Sequence, residues 1–265
     1  MRRIWLRAAA LALAAAGVIA GLTVYYSTQT VPRCLASGVK DWRPPHGGGR
    51  HRYEVVVLKD DACFFDMDQK QKLVGALPLE RASWLLAHVP PRSDTLRVTD
   101  QQHRVVYETK RGLLGVRVLA LQTGRQLYVV HYEGFTWNPH FGPDPPSHGL
   151  SLAPDRPELW VLDAPNSVVH LFDVSALPNA PPVRLEDIRF SKPISGDESP
   201  CAESCGRIGS LLHSSDGRFV YVGDAGDVID TRKREVIANL EALHNSRVQL
   251  EVDWVNGRAV FPRPS

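Results

Sequence analysis

The sequence predicts an all-β fold made of repeated antiparallel sheets, preceded by a hydrophobic N-terminal helix. Short segments rich in Val, Tyr, Phe and Trp alternate with turns of Gly, Pro, Asp and Asn, which is typical of strands. These segments recur in sets with the same internal order. Twenty Gly and twenty Pro residues are spread along the 265-residue chain, which suits many turns. Together these observations favour one sizeable β domain.

The first 30 residues predict export from the cytoplasm. Three arginines lie in Met1–Arg7, and the uncharged run Ala8–Tyr26 follows them. At 1.5 Å per residue this run spans about 28 Å, close to the thickness of a bilayer core. Two interpretations stay open: a signal peptide cleaved before Gly21, or an uncleaved membrane anchor. Arg2-Arg3 also resembles a twin-arginine signal. We therefore assign residues 1–30 to a signal peptide or anchor.

Residues 31–51 are predicted to be a linker, and residues 52–262 to form the β domain. Residues 80–90 predict one or two helical turns. Asn256-Gly257 is a strong hairpin signal, and we expect the hairpin 247–261 to pair with N-terminal residues. The expected strands fall into four sets and this terminal pair: 53–58, 62–66 and 72–79; 96–99, 104–108, 116–121 and 126–132; 149–152, 158–162, 168–173 and 183–185; 208–213, 219–222, 227–230 and 235–239; 247–253 and 259–261.

A repeated motif explains the sets. A turn containing Asp155 or Asp216 precedes a strand, and a polar turn then leads to a strand that ends in Asp173 or Asp230. Asp66 ends a strand of the same kind. An Asp in this position can accept hydrogen bonds from the backbone N–H groups of the following turn. One such sheet cannot bury both faces alone, so the sheets must stack.

The segments Phe219-Val220-Tyr221-Val222 and Ile229-Asp230-Thr231 resemble the repeat of the YVTN-type β-propeller family. Residues 134–253 are similar to a group of secreted bacterial propeller proteins without an assigned activity. The resemblance implies a β-propeller of about four to six irregular blades, with insertions at 134–148 and 186–206. It implies almost nothing about chemistry, since propellers host many unrelated functions.

The chain has four cysteines, and an even number of cysteines in an exported protein favours disulfide bonds. The count is therefore consistent with export to an oxidising compartment. Cys201 and Cys205 lie close together in a loop-like stretch and are expected to pair. Cys34 and Cys63 would then pair with each other. Four cysteines allow three connectivities, so other pairings remain open. A zinc or haem site at Cys201 and Cys205 lacks the usual spacing.

The loop 131–149 is the candidate functional site, because propellers bind ligands on loops near their axis. Histidines and carboxylates at irregular loop spacing can hold a divalent metal, and a positioned His can act as a general base. The alternative is a packed loop in which His148 caps a strand. The expected ligand-binding residues are Glu133, Trp137 and Asp144, and the expected metal ligands are His131, His140 and His148.

Two functions follow. The first is an extracytoplasmic binding or scaffold module without catalytic activity, with an unknown protein or small molecule of the cell envelope as its partner. The alternative is a metal- or cofactor-dependent propeller enzyme that uses the 131–149 loop, such as a lactonase-like hydrolase or a quinone-linked dehydrogenase. The net charge of only +2 argues against nucleic acid. Membrane contact is expected through the N-terminal segment.

Overall fold

The computed structural model describes residues 34, 38–45, 48–58, 60–88, 96–138, 145–191, 211–244 and 249–262. The predicted N-terminal helix of residues 1–30 lies outside this part, as do Cys201 and Cys205. Within the described residues, no helix is both long enough and apolar enough to cross a membrane.

The all-β prediction is confirmed, because the strands form four antiparallel sheets of four or five strands. Sheet A has the order β17-β16-β1-β2-β3, and the strands of sheets B, C and D follow the chain order. Sheet A contains β1 (Arg50–Val57), β2 (Asp61–Asp66), β3 (Lys72–Pro78), β16 (Gln249–Val255) and β17 (Arg258–Val260). Sheet B contains β4 (Arg97–Asp100), β5 (Val105–Glu108), β6 (Gly115–Ala120) and β7 (Gln126–His131). Sheet C contains β8 (Leu150–Leu152), β9 (Glu158–Asp163), β10 (Val168–Asp173) and β11 (Val183–Arg189). Sheet D contains β12 (Leu211–His213), β13 (Phe219–Val222), β14 (Asp227–Asp230) and β15 (Glu235–Asn239).

The four predicted strand sets correspond to these four sheets. The helical segment expected within residues 80–90 is a single turn, α1 (Ser83–Leu86). A 3-10 turn, Glu241–Leu243, follows sheet D.

The terminal hairpin completes sheet A, as expected from the sequence. Strand β16 pairs antiparallel with β1, in a register that places Tyr53 opposite Val252 and Val55 opposite Leu250. All four of these side chains are buried. The two ends of the domain are therefore joined in one sheet, and β1 has a hydrogen-bonded partner on both sides.

The sheets pack face to face in the order A, D, C, B through three shared hydrophobic clusters. Val56 and Phe65 of sheet A meet Tyr221 of sheet D. Trp160 of sheet C meets Val220 of sheet D in a second cluster. The third cluster joins sheets B and C. None of the clusters formed by the described residues joins sheet A to sheet B. The first strands of sheets B, C and D lie side by side, since β8 contacts both β4 and β12.

Residues from the predicted linker cover sheet A. The Trp42 ring stacks on Phe64 with centroids 4.1 Å apart. Only a glycine fits at position 75, because a Cβ there would lie 2.6 Å from the Trp42 Cα. Cys34 and Cys63 form a disulfide with a Cα–Cα distance of 5.9 Å, which is the pair expected from the sequence.

The aspartates that end strands cap the following turns. Asp66 Oδ1 accepts hydrogen bonds from the backbone N–H groups of Asp68 and Gln69. Asp230 Oδ1 accepts from the backbone of Arg232 and Lys233 in the same way. This structural role is the one predicted from the repeat.

Candidate functional site

The structure does not gather the residues predicted for the 131–149 site at one described location. His131 and Glu133 are exposed, whereas Trp137 is partly buried. Trp137 Nε1 is buried and finds no hydrogen-bond acceptor. His140 and Asp144 lie outside the described residues. Arg184 of β11 fixes the start of the loop: it donates a hydrogen bond to the Glu133 carbonyl at 2.8 Å and lies over the Phe135 ring.

His148 is buried at the start of β8 and joins the loop to sheet D. Its Nε2 lies 2.5 Å from Asp224 Oδ2, and its Nδ1 lies 3.1 Å from the Pro145 carbonyl oxygen. Both ring nitrogens of His148 are therefore engaged by oxygen atoms within the fold. Among the residues that the structure describes, no group of three or more His, Cys, Asp or Glu could hold a metal ion.

His170 has a similar structural environment in sheet C. Its Nδ1 lies 2.7 Å from Asp187 Oδ1, and its Nε2 lies 3.1 Å from Asp163 Oδ2. Arg184 donates to the same Asp187 carboxylate. Burial would raise the pKa of Asp187, but the hydrogen bonds from Arg184 and His170 outweigh it and hold that pKa below its ordinary value. His170 therefore ties β9, β10 and β11 together.

A second location, absent from the sequence predictions, has the geometry of a binding site. A cavity of about 40 Å³ lies between the end of β12 and the start of β16. One water needs roughly 10–15 Å³, so the cavity holds about three water-sized groups. Leu212, Leu250 and Pro262 form its apolar wall. The remaining residues that line it are polar or aromatic: His88, His213, Ser215, Gln249, Glu251 and Phe261.

His213 is held in one orientation by sheet C. Ser151 Oγ lies 2.7 Å from His213 Nδ1, and it also accepts a hydrogen bond from the His213 backbone N–H at 3.1 Å. Ser151 therefore fixes the Nδ1 side of the ring through two hydrogen bonds. His213 Nε2 is buried and has no hydrogen-bond partner. Trp160 packs edge-on against the ring at 5.4 Å.

Burial sets the charge of His213. It lowers the pKa of the imidazole to about 3, with a smaller contribution from the positive charge of Arg156. The ring is thus neutral at physiological pH and is a weak base. Ser151 is itself buried and lies on the Nδ1 side of the ring. A general base works best with a pKa near the working pH, so this Ser–His pair is unsuited to nucleophilic catalysis.

The opposite wall carries Glu251, whose charge is paired. Its Oε1 accepts from Arg52 Nη2 at 3.0 Å, and its Oε2 accepts from the Ser215 backbone N–H at 2.7 Å. Arg52 also donates to Asp216 at 2.8 Å. Burial alone would lower the pKa of Arg52, but the hydrogen bonds to Asp216 and Glu251 raise it above its ordinary value.

A buried carboxyl lies behind this wall. Glu54 of β1 stands directly opposite Glu251 of β16. Burial raises the pKa of Glu54 well above its ordinary value, and the charge of Glu251 raises it further. Burial therefore favours the neutral form of Glu54. Tyr221 of sheet D, whose pKa burial also raises, borders the same group.

Sequence reasoning missed this cavity because its walls come from distant parts of the chain. Of the two ring nitrogens of His213, Nδ1 has a hydrogen-bond partner and Nε2 has none. The useful signal was the position of His213 at the end of the first strand of a repeat, just before the Ser-Ser-Asp-Gly turn. Glu251 reaches the same cavity only through the pairing of β16 with β1.

No protein-family model matches the chain, and no curated protein matches it. Among solved structures, hydrazine synthase of Kuenenia stuttgartiensis is similar at 13% identity and a TM-score of 0.39, over 72% of this chain and 44% of that one. The β-propeller domain of Cps50 (Swd1) from Myceliophteria thermophila is similar at 15% identity and a TM-score of 0.35, over 76% of this chain and 57% of that one. A complex of KlAtg21 with the coiled coil of AgAtg16 gives 12% identity and a TM-score of 0.34, over 67% and 49%. This chain therefore spans about half the length of each, and TM-scores of this size carry no functional argument.

Proposed function

We propose that this chain is a four-bladed β-propeller that acts as an extracytoplasmic binding module without catalytic activity. Its four sheets would be the blades, with sheet A closed by the terminal hairpin. The ligand site is the cavity between β12 and β16. The observation that carries this proposal is the cavity itself, a space for about three water-sized groups whose lining combines the polar residues His213, Ser215 and Gln249 with the apolar residues Leu212 and Leu250.

The residues that line the cavity favour ligand binding over catalysis. A histidine whose pKa lies near 3 does not accept a proton at neutral pH. Glu251 is fully engaged by Arg52 and Ser215. The cavity therefore offers directional hydrogen bonds and apolar contact, which are the features of a recognition site.

Export supports an extracytoplasmic location. The N-terminal segment has the arginines and the apolar run of a signal peptide or anchor. The Cys34–Cys63 disulfide is of the kind that persists in oxidising compartments. We propose that the domain faces the cell envelope, either released or held at the membrane by its N-terminus, and that its partner is an envelope component.

Native mass spectrometry tests the binding role. The purified protein is incubated with envelope extract, desalted and weighed as the wild type, His213→Asn and His131→Asn. Asn at position 213 keeps a polar side chain beside Ser151 but removes the imidazole from a residue that lines the cavity, and exposed His131 provides the matched control. We expect a bound mass on the wild type and His131→Asn that is reduced on His213→Asn. Equal occupancy of all three, or catalytic turnover of the bound compound, would refute the proposal.

The metal- or cofactor-dependent enzyme remains the alternative proposal for the 131–149 loop. Its case rests on His131, His140 and His148, of which His148 has both ring nitrogens engaged. Metal analysis of protein purified without chelators tests it. Stoichiometric metal that is lost in His148→Ala would favour this alternative over the binding module.

A further inference from the structure

We propose that Asn256 is a site of spontaneous deamidation, at which the turn between β16 and β17 converts to aspartate and isoaspartate. This modification site is independent of the proposed binding function. The dipeptide Asn256-Gly257 occurs once in the chain. It lies in an exposed turn, with a backbone donor on its side-chain oxygen and a strand of only three residues after it.

The reaction needs no reactant other than water. The backbone nitrogen of Gly257 forms a bond to Cγ of Asn256 and gives up its proton, the Cγ–Nδ2 bond breaks, and Nδ2 leaves as ammonia. The product is a five-membered succinimide ring, which water opens at either of its two carbonyl carbons. One opening gives aspartate and the other gives isoaspartate. Glycine crowds the attacking nitrogen least, because it has no Cβ.

The turn presents both residues to solvent. Asn256 has a φ of 48° and Gly257 a φ of 79°, and two consecutive positive values are typical of a type I′ hairpin turn. Both residues are exposed. A Cβ at Gly257 would meet no atom within 4 Å. This side of the turn therefore has space for the tetrahedral intermediate and for water.

A backbone N–H group lies on the oxygen of the carbonyl that is attacked. Gly49 N donates a hydrogen bond to Asn256 Oδ1 at 3.3 Å, and negative charge collects on this oxygen when a nitrogen adds to Cγ. A donor at such an oxygen stabilises the intermediate. Among the described residues this is the one side-chain hydrogen bond of Asn256, so none of them holds its NH₂ group, which is the leaving group.

Local opening of β17 supplies the rotation that the attack requires. The peptide bond to Gly257 must turn about the ψ angle of Asn256 to bring its nitrogen against Cγ. In the described part of the chain, β17 lies at the edge of sheet A and pairs only with β16. Short exposed strands of this kind open at low free-energy cost. The backbone N–H of Asn256 donates to the Gly49 carbonyl at 3.1 Å, which holds the start of the turn while its end moves.

The modification acts on the hairpin that completes sheet A. Either product carries a negative charge at residue 256. Isoaspartate also adds one atom to the main chain, because the backbone then passes through the side-chain carbons. That atom lengthens a two-residue turn between the paired residues Val255 and Arg258, so the isoaspartate form no longer has the length of a type I′ turn.

Asn166 provides an internal comparison, since it also precedes a small residue, Ser167, in a turn. Its Nδ2 donates hydrogen bonds to the Thr136 carbonyl and to both carboxylate oxygens of Asp163. The leaving nitrogen is therefore held by the fold, and the attacking nitrogen belongs to a residue with a side chain. We expect Asn166 to persist under conditions in which Asn256 reacts.

Peptide mapping of aged protein by mass spectrometry tests the proposal. The full chain is kept at 37 °C for several weeks at pH 6.5 and pH 8.5, and each asparagine is examined for a mass gain of about 1 Da. Asn256→Asp is the reference for the aspartate product. We expect Asn256 to convert first, with isoaspartate among the products and Asn166 intact. Conversion should be faster at pH 8.5, because the nitrogen of Gly257 must lose its proton.

The chain unfolded in guanidinium chloride is the positive control, because there both asparagines are free of the fold. An Asn256 that stays intact in the folded protein, over a time in which the unfolded chain is converted at this residue, would overturn the proposal. Equal conversion of Asn166 and Asn256 in the folded protein would overturn it as well, since the turn and the Gly49 contact would then have no effect. A mass gain at Asn256 without isoaspartate would exclude the succinimide route.

Discussion

His213 and Glu54 are two buried side chains whose neutral forms the fold favours, and they link stability to pH in opposite directions. The pKa of His213 is lowered to about 3, so the unfolded chain binds a proton on this residue between its ordinary pKa of 6.5 and about 3 while the folded protein does not. The pKa of Glu54 is raised, so the folded protein holds a proton above pH 4.5 that the unfolded chain releases. Between pH 4.5 and 6.5 both effects operate.

Replacing His213 should make the protein more resistant to acid. In the wild type this residue lowers the free energy of unfolding by roughly 1 kcal/mol for each pH unit below 6.5. His213→Asn removes that loss, so the difference between the variant and the wild type should shift in favour of the variant as the pH falls from 6.5 to 4.5. Urea unfolding at pH 6.5, 5.5 and 4.5 measures it. A difference that does not change with pH would show that His213 titrates normally.

Replacing Glu54 should have the opposite pH dependence. Glu54→Gln keeps the shape of the neutral carboxylic acid but cannot ionise. The wild type loses stability from this group as the pH rises above 4.5, by roughly 1 kcal/mol for each pH unit while the folded carboxyl stays protonated. In urea unfolding the variant should therefore gain on the wild type as the pH rises above 4.5, over the range in which the unfolded carboxyl is ionised and the folded one is still protonated. A constant difference over that range would contradict a raised pKa at Glu54.

The sequence predicted correctly those side chains whose hydrogen-bond partners lie within a few residues in the chain. Asp66 and Asp230 were expected to cap their own turns and do so, since the acceptor and the N–H groups lie within three residues. The partner of His148 could not be predicted, because Asp224 comes from another sheet. The cavity could not be predicted for the same reason: Ser151 contacts His213, and Glu251 lines the same cavity, only after three sheets have assembled.

At the scale of elements, the order and bounds of the strands could largely be predicted from the sequence, because the repeat alternates apolar strands with turns that contain Gly and Asp. The segments 168–173, 219–222, 227–230 and 235–239 match the observed strands residue for residue. The packing of the predicted linker against sheet A could not be predicted from the sequence. Trp42 does not belong to an alternating strand pattern in the sequence. It stacks on Phe64 because Gly75, which has no side chain, lets the Trp42 backbone come close to β3.

The disulfide should be a major stabilising element of sheet A. It joins residues separated by 29 positions, and closing a loop of that size stabilises a protein by roughly 3–4 kcal/mol in the chain-entropy treatment. We expect Cys34→Ser/Cys63→Ser to lose about that free energy in urea unfolding. The reduced wild type is the matched comparison and should behave like the double variant. A loss well below 1 kcal/mol would indicate that residues near Cys34 are held to sheet A by packing alone.

For the whole molecule, the pairing of β16 with β1 is the contact that joins the two ends of the domain. Leu250 and Val252 are buried in it, and without β16 one side of β1 has no partner. A chain that ends at residue 248 should therefore lose cooperative unfolding, as monitored by near-ultraviolet circular dichroism in urea. A matched truncation after residue 262 removes no described strand and should unfold as the full chain does. Cooperative unfolding of the shorter chain at unchanged midpoint would refute this role of β16.

The central claim is that the cavity beside His213 binds a ligand in the cell envelope. The most direct measurement is a high-resolution crystal structure of the protein isolated from cells that express it naturally, without exchange of bound small molecules. The account predicts non-water density in the cavity, in contact with residues that line it such as His213, Ser215 and Leu250. Ordered water alone in that cavity, with a ligand bound at another location on the domain, would contradict it.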